Sequence, residues 1–157
     1  MGYREDYKER LLNHIRLVNK YASKLGLSYP YHDNGKLDLL FEPYALWSKP
    51  NKTDEEQSIL DQATLIHIKN TPHHPEYWTD TDLTGFTRRN YAPNGIIDAS
   101  DMPEEYIIEF CCDCSATGEE MGNLASDWLQ QRIGTRWYFT PDQQDLIFGT
   151  LSILENE

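Results

Sequence analysis

Residues 32–36 read HDNGK, and residues 73–78 read HHPEYW. The chain has five histidines, His14, His32, His67, His73 and His74, and none lies in its second half. Imidazole nitrogen together with carboxylate oxygen suits zinc, manganese, iron, cobalt or nickel. Taken singly, each motif also has a plain structural reading. His32-Asp33 is a common dipeptide, His73-His74 lies between Pro72 and Pro75 as a surface turn would, and His14 suits a satisfied core histidine.

The pattern around these motifs is helical. Leu11, Ile15, Val18, Ala22 and Leu25 recur at steps of four and three, which predicts a helix over 7–25, with Gly26 just past its end. His14 shares that inward face. A second helix is expected over 37–47, kinked at Pro43. Thr53 followed by Glu56 is a capping box and opens a third helix. Its inward residues are read as Ile59, Ala63, Leu65 and Ile66, with His67 in the last turn before Pro72. Asp101 and Glu104 suggest another capping box, with Pro103 in the first turn, opening a helix that runs to about residue 120. Ile107, Phe110, Cys111 and Cys114 form its inner stripe, and Gly118 and Gly122 loosen its end. Shorter helices are expected over 124–132 and from Thr140, where Gln143 completes a cap. Residues 136–139, RWYF, read as a short extended piece.

Residues 79–100 carry little periodicity and are rich in Thr, Asp, Asn, Pro and Gly. They predict a long irregular loop with a short hairpin around Pro93-Asn94-Gly95. A loop of this length is more often functional than idle. The resulting expectation is an all-α fold in one domain spanning 1–157, long enough to bury about two-thirds of its unfolded surface.

Composition limits the partners. The formal charge is −12, the sequence pI is about 4.7, and 39% of residues are hydrophobic. So acidic a chain is a poor match for long nucleic acid or an anionic membrane, because phosphate contacts need Lys and Arg. A small phosphorylated ligand stays compatible, because bound cations supply local positive charge. No apolar run approaches the roughly 20 residues that cross a bilayer. The charged start, MGYREDYKER, lacks a secretory apolar stretch. Cys111, Cys112 and Cys114 are too local and too few for a disulfide framework, and read as reduced thiols of a cytoplasmic protein. The chain has no P-loop, no dinucleotide fingerprint and no G-x-S-x-G elbow.

The spacing of the histidines changes the reading of each. His14 lies on an inward helix face, and His32-Asp33 begins the next element. His67 ends the third helix, and Asp113 lies near the middle of the fourth, beside Phe110 and the cysteines. A buried aspartate there needs a partner or a cation. In its order, His … His-Asp … His … His-His … Asp, the chain resembles the HD-domain superfamily of metal-dependent phosphohydrolases. The likeness extends to a branch found in phage and bacterial genomes, which pairs an HD-x-x-K segment and a following E-P-Y with an H-H-P-E-Y-W block. Glu42-Pro43-Tyr44 and residues 73–78 stand in those places. The resemblance covers most of residues 10–150 and weakens over 79–100. It departs at Leu37, where Phe is common, and at Cys114, where Trp is common.

The resemblance implies an HD-like helical bundle holding one or two divalent transition-metal ions (Mn, Fe, Zn, Co or Ni). It implies His14, His32, Asp33, His67, His73, His74 and Asp113 as ligands, with Asp33 bridging. The activity implied is hydrolysis of a nucleotide or another small phosphate ester by metal-activated water. Asp33, Lys36 and Glu76 are the candidate catalytic residues. Lys36, Arg88 and Arg89 are candidates for binding phosphate. Tyr44, Tyr77 and Trp78 offer faces for a base, although Trp78 reads better as core packing. The setting implied is the cytoplasm, that of the host if the chain is phage-encoded. Two other readings remain open: a non-enzymatic module stabilised by its metal, serving as a platform for a partner, and an iron-dependent HD-like oxygenase.

Overall fold

The computed structural model describes residues 2–156, and they form an all-α fold. Helix α1 (Tyr3–Ser23) is followed by a connector, a 3₁₀ turn (Asn34–Leu37), a short helix α2 (Phe41–Ala45) and a further 3₁₀ turn (Leu46–Ser48). Helix α3 (Asp54–Asn70) leads to a 3₁₀ turn (Pro75–Trp78), strand β1 (Ile97–Asp98), helix α4 (Glu104–Met121), helix α5 (Ala125–Arg132), strand β2 (Trp137–Tyr138) and helix α6 (Pro141–Leu154).

The strongest local signals act as expected. Thr53 and Glu56 make both bonds of a capping box at the start of α3, and Thr140 and Gln143 do the same for α6. Gly26, at φ +73°, follows the last turn of α1.

Several expectations need correction. The single kinked helix over 37–47 is instead two 3₁₀ turns flanking one short α-helix. Pro43 lacks the amide that a longer helix would use. Asp101 and Glu104 make no capping box, because Pro103 occupies the N-cap of α4 and Asp101 lies outside the helix. The inward face of α3 is Leu60, Ala63, Thr64, His67 and Ile68, whereas Ile59 and Ile66 are exposed. No hairpin forms around residues 93–95. The tight turn lies at Thr87–Asn90, and β1 pairs in parallel with β2, Ile97 opposite Trp137 and Asp98 opposite Tyr138. Gln143 Nε2 then donates to the carbonyls of Ala99, Ser100 and Met102 at 3.0–3.1 Å, tying the loop's end to α6.

Two apolar clusters hold the helices, and α1 belongs to both. Its first half places Tyr7 and Leu11 against Tyr44, Ala45, Leu60 and Ala63. Its second half places Val18 and Ala22 with Ile107, Phe110 and Cys111 of α4, Leu129 of α5 and Ile147, Leu151 and Leu154 of α6. Fully burying one such aliphatic side chain stabilises by roughly 1.5–3 kcal/mol. His14 falls on α1 between Leu11 and Val18, at the seam of the two clusters.

Gly118 is a packing glycine rather than a loosened end. A Cβ there would lie 2.7 Å from the carbonyl oxygen of Asn123 and 3.3 Å from the nitrogen of Ala125. Gly118→Ala should therefore destabilise the protein by roughly 1–3 kcal/mol, the usual range for overpacking. Urea unfolding measures this, and an unchanged midpoint would mean that the α4–α5 turn yields freely.

Candidate metal centre

Irregular backbone, fixed by side chains, presents His32 and Asp33. Asn19 of α1 donates from Nδ2 to the Tyr29 carbonyl at 3.0 Å and accepts the Tyr29 amide at Oδ1 at 2.6 Å. This moors the connector against α1, three residues before His32. Asp33 then adopts the left-handed region, φ 53° and ψ 25°, at the start of the 3₁₀ turn. The last turn of α3 delivers His67, and the following turn delivers His73 and His74. Helix α4 contributes Glu109, Asp113 and Glu120, which are four and seven residues apart and so share one face.

The residues assemble into two groups that share Asp33. One comprises Asp33, His67, His73 and His74, and the other His14, His32, Asp33 and Asp113. Within each, one ligand atom from every residue lies within 4.8 Å of the others. Asp33 Oδ1 is 3.1 Å from Nε2 of both His67 and His73. Asp33 Oδ2 faces the second group, 3.6 Å from His32 Nε2 and 4.0 Å from His14 Nε2. Asp113 Oδ1 lies 2.7 Å from His14 Nε2 and 3.3 Å from His32 Nε2.

The first group supplies the test of fit. Asp33 Oδ1 and the Nε2 atoms of His67, His73 and His74 are buried, close together and without hydrogen-bond partners. Buried polar atoms are almost always paired, and leaving one unpaired costs about 1–3 kcal/mol. Four such atoms converging on one point form a nitrogen-and-oxygen donor set of the kind that binds borderline divalent cations. These groups are able to hold a metal ion.

Electrostatics differs from one histidine to the next, and His73 departs from the rest of its group, because Asp33 and Glu109 outweigh its burial and raise its pKa. Burial lowers the His67 pKa, and the Lys36 ammonium adds to the effect. Burial and the neighbouring His73 and His67 hold His74 well below its ordinary value. Both histidines are therefore neutral, the form that ligates. In the second group burial again opposes charge, but Asp113 and Glu120 outweigh it and raise His14 to about 10. Asp33, Asp113 and Glu109 likewise raise His32 to about 10. Asp33 itself is buried, yet Lys36 and His32 hold its carboxyl well below the usual carboxylate range.

The sequence-derived residues divide by position. Lys36 Nζ lies 3.1 Å from Asp33 Oδ2 and 4.6 Å from the centre of the Tyr44 ring. Arg88 donates from Nη1 to Thr64 Oγ1 at 2.9 Å. Lys36 and Arg88 line a cavity of about 360 Å³ together with His14, Asp33, His67, His74 and Asp113. Arg89 is exposed and does not line it. The expectation of Glu76 as an acid or base finds no support in its position. It is fully buried, and its Oε2 accepts from Arg136 Nη2 and Trp137 Nε1, both at 3.0 Å. Trp78 donates to the Pro72 carbonyl and packs against the core, whereas Tyr77 is exposed. A second cavity of about 530 Å³ lies against His32, His73 and Glu109, and Asp33 and His67 line both cavities.

Sequence reasoning missed three residues. Glu109 Oε2 lies 2.9 Å from Nδ1 of both His32 and His73. Glu120 Oε1 lies 3.0 Å from His14 Nδ1. Arg136 reaches the first cavity, with its guanidinium 3.9 Å from the Tyr91 ring centre and 4.0 Å from that of Trp137. For Glu109 a signal existed, because it stands one helical turn before Asp113 and must share its face.

The fold and site together define an all-α protein built around a buried histidine–carboxylate cluster able to hold metal. The chain belongs to the DUF5662 family, a family of unknown function, which it matches over residues 3–155. No curated protein and no solved structure matches it.

Proposed function

We propose that this protein is a divalent-metal-dependent phosphohydrolase acting on a nucleotide or another small phosphate ester. The observation that carries the reading is the position of Asp33. Its two carboxylate oxygens face two separate ligand groups, and Lys36 and Arg88 stand at the same cavity. The ordered His … His-Asp … His … His-His … Asp pattern, with its likeness to HD-domain phosphohydrolases, supports it further. A divalent ion of the Mn, Fe, Zn, Co or Ni kind would supply Lewis acidity there and acidify a water to a pKa of about 7.

The chain's own residues supply the rest. His14, His32, His67, His73, His74, Asp33 and Asp113 would hold one or two cations. Asp33, ionised and fully buried, orients water at its carboxylate oxygens. Lys36 and Arg88 are cationic donors for phosphate oxygens, and charge-assisted bonds of this kind are the strong ones. Tyr44 and Trp47 give the same cavity an apolar wall. A cytoplasmic setting belongs to the same proposal, and no helix among the described residues is long and apolar enough to cross a membrane.

The experiment is metal analysis of the purified protein, then a turnover screen over nucleoside phosphates and other small phosphate esters with Mn²⁺, Co²⁺, Zn²⁺, Ni²⁺ and Fe²⁺. Metal-dependent release of phosphate is expected. Arg88→Ala should reduce kcat/KM at least about tenfold, since a hydrogen bond to a charged group contributes roughly 1.5–3 kcal/mol. Metal uptake with no turnover of any phosphate ester would overturn the reading.

A further inference from the structure

The geometry points to Glu109 as a positioning residue that fixes both ligand groups from outside the metal centre. One oxygen, Oε2, lies 2.9 Å from His32 Nδ1 and 2.9 Å from His73 Nδ1. His32 belongs to one ligand group and His73 to the other. Asp33 joins the two groups from within, and Glu109 joins them from behind.

The consequence follows from imidazole chemistry. An imidazole that ligates a metal gives up its second proton and keeps one N–H and one lone pair, and an ionised carboxylate can only accept. Glu109 therefore places the N–H of both rings on Nδ1 and leaves Nε2 as the atom facing the cation. The two rings also stack, with centres 4.2 Å apart and planes 25° apart, so an acceptor shared at one edge fixes both orientations at once. Glu109, His32 and His73 could in principle bind a third cation through those same atoms. That would need both Nδ1 protons removed and both rings turned to ligate outward, away from Asp33. The carboxylate acts instead as the acceptor that orients ligands, a role whose loss typically weakens metal binding 10- to 100-fold.

The inference rests on the metal-centre reading alone and requires no phosphohydrolase activity. The test is a Co²⁺ titration of the wild-type protein, Glu109→Gln and Glu109→Ala, followed by absorption and by the exchangeable imidazole N–H resonances of the cobalt form. Far-UV circular dichroism confirms that each variant is folded. Glu109→Gln keeps an acceptor and loses the charge. Both groups should still load, each about 10- to 100-fold more weakly, and two exchangeable resonances should move. Glu109→Ala should weaken both groups further, and the same two resonances should be lost to exchange with water. Wild-type affinity and unmoved resonances in the variants would overturn the inference. So would weakening at one group only, or a third cobalt that disappears with Glu109. Failure of the wild-type protein to take up any cobalt would overturn the metal centre itself, and the inference with it.

Discussion

Asp33→Asn is expected to remove metal from both ligand groups at once. His74→Ala and His14→Ala should each weaken one group and leave the other able to load. The difference arises because Asp33 offers Oδ1 to one group and Oδ2 to the other, whereas His74 and His14 each belong to one group. Asparagine is the sharper substitution than alanine. Asp33 has φ +53°, a region that asparagine tolerates and alanine resists, so Asp33→Asn changes the ligand with little backbone strain. The loss should exceed the roughly 100-fold seen when an outer hydrogen-bond partner is removed. Titration calorimetry with Co²⁺ measures it, and the proposed turnover should vanish in the same variant. If Asp33→Asn keeps one full-affinity ion, the carboxylate is not shared.

Glu76→Ala is expected to give the largest loss of stability of any single change considered. Glu76 is fully buried and accepts from Arg136 and Trp137, so its removal leaves a guanidinium and an indole N–H without their carboxylate acceptor. Breaking a buried pair by deleting one partner destabilises by roughly 3–5 kcal/mol. For a domain of this size each kcal/mol moves Tm by about 2–4 °C. Thermal unfolding reads the effect directly. Glu76→Gln, which can still accept from Trp137, should be milder. A catalytic Glu76 would behave in the opposite way, losing turnover while Tm stayed in place.

What the sequence made legible follows the range of the interactions involved. Thr53 with Glu56 and Thr140 with Gln143 act within one turn of helix, and both caps form. Asp101 and Glu104 carry the same local pattern and fail, because Pro103 takes the cap position between them. On α3 two apolar stripes compete. Only the elements packed against it decide that Leu60 and Ala63 turn inward while Ile59 and Ile66 face out. The site divides in the same way. Histidines are scarce, so His14, His32, His67, His73 and His74 stand out together. Glu109 and Glu120 are two of 26 acidic residues; the one-turn spacing to Asp113 marks the face of Glu109, and only the fold distinguishes Glu120 from a solvated charge. Arg88 and Arg89 are neighbours in the chain, and the turn at Thr87–Asn90 sends one to the cavity and the other to solvent.

The left-handed backbone at residue 33 has a consequence for which amino acid can stand there. On conformational grounds the position favours glycine, asparagine or aspartate, because other side chains crowd the following carbonyl. On chemical grounds it needs two anionic oxygens on a short stem, one for each neighbouring set of donors. Glutamate meets the second demand and not the first, and asparagine and glycine meet the first and not the second. Aspartate alone satisfies both, so the tolerance of this position to replacement is close to nil.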